Sequence, residues 1–446
     1  MPSALHASAS EPDPSVRGLI AARPHLSMHA HDGLLLEGVP LEHIARELGT
    51  PTWVYGAGTI RARLASLRAA LDAAGLDAHV HYAVKANDHL AVLRVMQAGG
   101  AGADVVSEGE LLRARQAGIS ADHIVFSGVG KTERELRLAL TEDIAQINVE
   151  SAEELKILSG LASAMGRTAR VALRVNPDVD AGTHEKISTG RARDKFGIPH
   201  ANIVALYAHA ASLPGILPVG LATHIGSQIL SLAPYRAAYA RMEELVRDLR
   251  AAGQRVDVID CGGGLGIGYR DEPGLNPAAL AGVLRASLHN LQVKLLLEPG
   301  RWLVGPAGVL LASVVLVKRI GDQRYVVLDA AMNDLVRPAM YDSWHGIIPL
   351  SPVTALAPTS PADIVGPVCE TGDIFARARA LPDVAAGEKM ALLDAGAYGA
   401  VMSSTYNARP LAAEAMVDGE SRAVIRERQP HAAMWEHERI PDVLAR

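Results

Sequence analysis

Four groups of residues in this chain have types suited to one chemistry. Lys85 ends the strand-like run HVHYAVKAN, His224 stands in HIGSQ, Gly262, Gly263 and Gly264 form the glycine run of CGGGLGIGY, and Glu298 opens EPGR. A lysine at a strand end is either a solvated cation or an amine kept for covalent work on a carbonyl. Glycines after a strand either make a tight turn or let backbone N–H groups close around a phosphate. The run does not read G-x-G-x-x-G in any register, which argues against a dinucleotide fingerprint. An amine able to form a Schiff base, together with a phosphate cradle, points to pyridoxal 5'-phosphate. That cofactor needs a carboxylate against its pyridine nitrogen and a side chain stacked on its ring. Glu298 and His224 are the candidates; their structural alternatives are an ion pair of Glu298 with Arg301 and a satisfied core histidine.

These groups must be brought together by the elements that carry them. Eight apolar, β-branched runs recur between helical stretches: 79–84, 103–106, 123–127, 145–149, 169–175, 219–225, 255–260 and 293–298. Ser107 with Glu110, Thr132 with Glu135, and Ser151 with Glu154 have the spacing of capping boxes, so those strands hand over to helices within a few residues. Alternating buried strands and helices predict a parallel sheet, and eight such units predict closure into a TIM-like (β/α)8 barrel, with an open doubly wound sheet as the alternative. In such a barrel the working groups sit at the carboxyl ends of the strands. Lys85, His224, the glycine run and Glu298 all fall at such ends.

After Pro306 the pattern changes to strands with few helices: GVLLASVVLVKRI, RYVVLDA, ADIVGPV, KMALLDA and SRAVIRE, with hairpin turns at Gly321-Asp322 and Asp418-Gly419. This is an all-β domain of sandwich or barrel type. The expected division is a flexible tail over 1–30, a segment 31–56 whose strand at Leu34 to Leu36 joins the β domain, the barrel over 57–305, and the β domain over 306–446. The tract ALAPTSP at 355–361 reads as a loop.

The chain has 446 residues and a formal net charge of −6, a globular composition with no basic block for nucleic acid. Its two cysteines, Cys261 and Cys369, make neither a zinc spacing nor a disulfide framework, so no metal site is expected and a reducing compartment is the simplest reading. No run of about 18 apolar residues suggests a membrane span, and the first residues lack the character of a signal peptide. A cytoplasmic location is the expectation.

The motifs HYAVKAN, GADVVSEGEL, DAGTHEKISTG, KFGI, HIGSQI, CGGGLGIGY, EPGRWLVGPAG, GPVCETGD and GAYGAVMSSTYNARP, in this order from about Leu34 to the C-terminus, resemble bacterial diaminopimelate decarboxylase. The resemblance implies a pyridoxal-phosphate enzyme with an alanine-racemase-like barrel, working as a homodimer whose sites lie at the subunit interface. It implies that Lys85 is the Schiff-base lysine, that His224 stacks on the ring, and that Ser227 helps bind the phosphate. Gly262, Gly263 and Gly264 form the cradle, with Gly300 and Arg301 nearby, and Glu298 meets the pyridine nitrogen. Tyr398 approaches both cofactor and substrate. The implied substrate set is Arg301, Arg337, Tyr341, Glu370 and Tyr398. Cys369 is the implied acid that returns a proton to the α-carbon, and it comes with Glu370 from the partner subunit. Glu108 stands where the family more often has glycine, and the tail is longer than usual.

The chemistry of the substrate agrees with that set. Diaminopimelate carries an ammonium and a carboxylate at each end, so the end that does not react needs a cation and an anion to recognise it. Arg301 and Arg337 suit the carboxylate and Glu370 the ammonium. A decarboxylase for ornithine or another basic amino acid would favour an acid where Arg337 stands. A non-catalytic homologue would be expected to lack Lys85 or Cys369. Asp104 stays open between orienting the cofactor and capping a turn, and His79, His81 and His345 are assigned to structure.

Overall fold

The computed structural model describes residues 12–182, 189–191 and 194–444. The first eleven residues of the expected tail and residues 183–188 of DAGTHEKISTG lie outside the described residues.

Eight parallel strands close into a barrel. In chain order they are β1 (Ala78–Ala83), β2 (Gly102–Val105), β3 (Ile124–Phe126), β4 (Gln146–Val149), β5 (Ala169–Asn176), β6 (Ile216–Thr223), β7 (Val258–Asp260) and β8 (Lys294–Leu297). Each pairs with the next, and Leu295 to Leu297 of β8 pair with Ala78 to Val80 of β1 to close the ring. Several of the strands are buried along their whole length, which is why they read as continuous apolar runs rather than alternating ones. The helices outside pack by their apolar stripe. Ala57–Ala73, for example, buries Ile60, Leu64, Leu67 and Leu71, spaced three or four residues apart.

The helix-start signals are present, with one variation. Thr132 and Glu135 form a reciprocal capping box. At the other two sites the hydroxyl accepts as expected, from Glu110 N–H and from Glu154 N–H. Their glutamates, however, reach one residue further back, to Val106 N–H and Glu150 N–H. Both arrangements satisfy orphan donors of the first turn.

The second unit is a mixed β sheet. Its strand order is Ile374–Pro382, Thr359–Val365, Gln323–Leu328, Gly308–Ile320, Thr52–Gly56, Ala413–Asp418 and Ser421–Arg426, with Lys389–Leu392 bridging from Gly308–Ile320 to Ile347–Pro349. Both expected hairpins close, pairing Ile320 with Gln323 and Asp418 with Ser421.

Three expectations need correction. The strand at Leu34 to Leu36 belongs to a separate three-stranded sheet with Leu26–His29 and Val39–Pro40, and it packs its leucines on the β domain. The strand that enters the large sheet is Thr52–Gly56, whose TWVYG is buried at every position. The tract 355–361 is a loop only in its middle, since Ala355 ends a short helix and Thr359 to Pro361 begin a strand paired with Ala380 to Pro382. Pro361 hides that strand in the sequence, because a proline within a run demotes it. Finally, the segment before residue 31 is not a loose tail from Pro12 onward. It holds a helix, Val16–Ala21, and Arg23 is buried against Asp394 and hydrogen-bonds it at 2.9 Å. Among the described residues no helix is long and apolar enough to cross a membrane.

Candidate active site

β1 runs out into a single 3-10 turn, Val84–Ala86, that presents Lys85 at the rim. The turn is pinned from two sides. Tyr82 Oη donates to Asn87 O at 2.9 Å, and Tyr398 N–H donates to Ala86 O at 2.7 Å from the β domain. Tyr398 holds a positive φ of 55°, an uncommon conformation for a tyrosine, at the point where the two domains meet. Lys85 Nζ lies 3.1 Å from Asp104 Oδ2; Asp104 is fully buried, while 36 % of the lysine side chain stays accessible. Burial opposes the charge on Lys85, but Asp104, Glu298 and Tyr398 outweigh it and hold the amine above its ordinary range. The residue left open between turn cap and functional group is therefore the ion-pair partner of the lysine.

Glu298 follows β8 and Asp260 ends β7. Asn148 Nδ2 donates to Asp260 Oδ2 at 2.8 Å and approaches Glu298 Oε1 at 3.5 Å, and Ser127 Oγ donates to Glu298 Oε1 at 3.3 Å. Burial, then the neighbouring Asp104 and Asp260, push the Glu298 carboxyl well above the usual range, and Lys85 only partly counters this. Burial likewise raises Asp260. Like charges close together in a buried site favour the protonated form of both carboxyls. The alternative partner for Glu298, Arg301, instead bonds Tyr269 Oη at 2.7 Å and Ser227 Oγ at 3.1 Å.

The glycine run serves as both a turn and a space-maker. Gly262 and Gly264 take φ of 67° and 89°, and a Cβ on Gly263 would fall 2.0 Å from the carbonyl oxygen of Glu298. Gly262 N–H donates to Asp260 Oδ1 at 3.0 Å, and Gly263 N–H donates to His224 Nδ1 at 3.1 Å. That bond fixes the proton of His224 on Nε2. Burial, with Lys85 and Arg174 nearby, pushes His224 well below its ordinary value, so the ring is neutral. A neutral ring suits stacking on an aromatic cofactor. Gly300 is equally confined, since a Cβ there would meet Ala86 Cβ at 2.9 Å.

These parts fit a phosphorylated pyridine aldehyde. An amine lies beside buried acids, a neutral imidazole beside side-chain-free backbone, and a hydroxyl and a guanidinium, 3.1 Å apart, are donors of the kind a phosphate needs. Asp104 Oδ1 is buried with no hydrogen-bond partner among the described residues, so this acid has capacity left for a ligand.

A second cluster surrounds Arg301 and Arg337, both buried. Arg337 donates to His345 Nε2 at 2.8 Å and to Ser343 Oγ at 3.2 Å, and its guanidinium lies 4.8 Å from the centre of the Tyr269 ring. Arg301 lies 4.8 Å from the centre of the Tyr398 ring. Tyr341 is close enough to favour the charge of Arg301. Neither arginine makes an ion pair with a carboxylate among the described residues. Cys369 and Glu370 are not in this cluster. Cys369 is exposed, its N–H bonded to Asn407 Oδ1 at 2.9 Å, and Glu370 bonds Tyr406 at the same surface. His345, assigned to structure from sequence, takes its place beside Arg337. Asp260 carries no signal of its own in the sequence, because RVDVID reads simply as a strand, and Tyr269 carries none as the last letter of CGGGLGIGY.

Residues 57–305 match the family model described as pyridoxal-dependent decarboxylase, pyridoxal binding domain. Over 399 residues the chain is 48 % identical to the diaminopimelate decarboxylase of Zymomonas mobilis, covering 89 % of this chain and 94 % of that one. It is 44 % identical to the diaminopimelate decarboxylase of Aquifex aeolicus over 399 residues, covering 89 % and 93 %. Its fold is similar to the crystal structure of diaminopimelate decarboxylase from Helicobacter pylori complexed with L-lysine, with a TM-score of 0.86, 36 % identity, and coverage of 89 % of this chain and 99 % of that one.

Proposed function

This chain belongs to the pyridoxal-dependent decarboxylase family and to its diaminopimelate decarboxylase branch, and from that premise we propose how its residues divide the work. The reaction is the decarboxylation of meso-2,6-diaminopimelate at its D centre to L-lysine and carbon dioxide, the last step of lysine biosynthesis. Pyridoxal 5'-phosphate, when bound, supplies an electron sink for the pair released as the carboxylate leaves.

Lys85 is the attachment point, and its ion pair with Asp104 fixes where the amine stands. Glu298 holds a proton at the pyridine nitrogen; a carboxyl held above its usual range by burial, then by Asp104 and Asp260, shares that proton rather than losing it to water. His224 covers the ring face. Gly262, Gly263, Gly264, Gly300 and Ser227 bound the phosphate, with Arg301 beside them. Arg301, Arg337, Tyr341 and Tyr398 hold the end of the substrate that does not react. Cys369 returns the proton to the reacting carbon and Glu370 meets the distal ammonium. Both are exposed in the single chain, which suits a homodimer in which each subunit supplies them to its partner's site. Two free thiols also suit the cytoplasm.

The observation that carries the reading is the buried pair Arg301 and Arg337, set beyond an acid-lined lysine and lacking a carboxylate of their own. Buried cations need an anion, and a second substrate carboxylate is one. The test is carbon dioxide release by the cofactor-loaded protein from diaminopimelate, ornithine, arginine and lysine. Turnover of diaminopimelate alone is expected; comparable turnover of ornithine or arginine would overturn the assignment in favour of a basic amino-acid decarboxylase. The shared site has its own check. Mixing inactive Lys85→Ala and Cys369→Ala subunits should restore about a quarter of wild-type activity, since half the dimers then carry one intact site of two. No recovery on mixing counts against subunit sharing.

A further inference from the structure

Building on the substrate-end assignment above, we infer that Tyr269 is the positioning residue that sets the spacing of Arg301 and Arg337 and so tunes the site to a distal carboxylate. Tyr269 has contacts with both arginines. Its hydroxyl accepts from Arg301 Nη1 at 2.7 Å, and its ring face lies 4.8 Å from the Arg337 guanidinium carbon. The edge of the ring meets His345 at 5.3 Å between centroids, and His345 Nε2 accepts from Arg337 Nη1 at 2.8 Å. His345 is itself oriented, since its Nδ1–H donates to Leu393 O at 2.8 Å. Two like charges held together without an acid repel, and the tyrosine contacts both: its oxygen accepts from Arg301, and its ring face and side-chain oxygen both support the charge of Arg337.

The ring cannot drift. Tyr269 keeps 8 % of its surface exposed. Its N–H donates to Glu272 Oε1 at 3.0 Å, and its carbonyl accepts from Arg23 Nη2 at 2.7 Å. Arg23 is anchored in turn on Asp394. The geometry of the arginine pair therefore runs back through Tyr269 to the N-terminal segment.

The test compares ligands that differ only in the group at issue. L-lysine keeps the distal carboxylate of the substrate, whereas 1,5-diaminopentane lacks it. Inhibition constants for both are measured on cofactor-loaded wild type, Tyr269→Phe, Tyr269→Leu and Arg337→Lys, with the cofactor absorbance as the check on folding. Tyr269→Phe, which loses only the hydroxyl, should narrow the preference for L-lysine over 1,5-diaminopentane by about tenfold and raise KM for diaminopimelate by a similar factor, with a much smaller change in kcat. Tyr269→Leu, which also loses the ring, should narrow it further. Equal weakening of both ligands would mark Tyr269 as mere packing and overturn the inference. An unchanged ratio in Tyr269→Phe and Tyr269→Leu but a lost preference in Arg337→Lys would reject Tyr269 while leaving the site assignment standing. An unchanged ratio in all three would reject the role of Arg337, and the inference with it.

Discussion

The two ends of the site have opposite electrostatic problems. Around Lys85 the buried acids Asp104 and Glu298 act on one amine, and Asp260 adds to the negative charge around Glu298. Around Arg337 two buried guanidiniums face, among the described residues, neutral partners: a histidine, two serines and tyrosines. At the acid end burial and like charge push the carboxyls toward their protonated form, because a carboxyl can take up a proton. At the basic end that remedy is closed, because a guanidinium keeps its proton. Burial draws Arg337 down from its ordinary value, while Tyr269 and Tyr398 help to sustain its charge. On the proposed reading each end is completed by a ligand of the opposite character, a pyridine nitrogen that accepts a proton at one and a carboxylate at the other. A molecule with both an amino-acid head to react and a carboxylated tail to be held satisfies the pair.

Breaking the acid end at its centre should have the largest effect. Lys85→Ala is expected to lose the absorbance of the covalently held cofactor and the activity together, by a factor on the order of 10³ or more, and retention of either in a spectrum or a turnover assay would separate Lys85 from the chemistry. Next, Glu298→Gln removes the charge that answers the pyridine nitrogen but keeps the shape. Its kcat should drop by about 10²- to 10³-fold while cofactor still binds, as measured by titration and turnover. The basic end is broken by Arg337→Lys, which keeps a charge but loses the planar fork. KM for diaminopimelate should rise by about tenfold or more, with kcat changing less; a fall in kcat alone would move Arg337 to the reacting end.

A smaller effect sharpens the acid end. Burial raises Glu110 from 4.5 to about 7, with Asp104 adding to the rise and Val106 N–H and Lys85 opposing it. Between those values the unfolded chain has lost its proton and the folded chain has kept it. The contribution of this group to stability is therefore complete below about 4.5 and declines as the pH rises to about 7. Glu110→Gln should flatten the fall in Tm across that window by about 2 °C in the cofactor-free protein. Thermal melts of both proteins across the range settle the point; parallel curves would mean that Glu110 titrates in the ordinary range.

The eight barrel strands, Lys85, the glycines and Glu298 could be read from the sequence because each leaves a local trace: an apolar run, a special residue at its end, a hydroxyl three residues before an acid. Residues whose meaning lies in a distant partner leave none. Arg23 meets Asp394 across 371 positions, so the early segment looks like an unstructured tail until the pair is seen. The strand Ile374–Pro382 is hidden in the sequence because its arginines, Arg377 and Arg379, break the apolar pattern; Arg379 is buried against the His345 carbonyl at 2.7 Å. Nothing in TWVYG at Thr52–Gly56 names its neighbours in the later sheet, which lie more than 250 positions away. Cys369 and Glu370 were legible only by resemblance, and the single chain leaves them at its surface.

Because Thr52–Gly56 is wedged between Gly308–Ile320 and Ala413–Asp418, the sheet is made in two instalments. On the ribosome the strand emerges before the whole barrel, yet both neighbours that cover Trp53 and Tyr55 follow it. A nascent chain halted just after the barrel would present a naked, aromatic, two-sided β edge, the kind of surface that recruits other chains. Premature termination here should therefore yield aggregates and not a free-standing barrel, and holding chaperones would be needed longest at a segment synthesised before the barrel began.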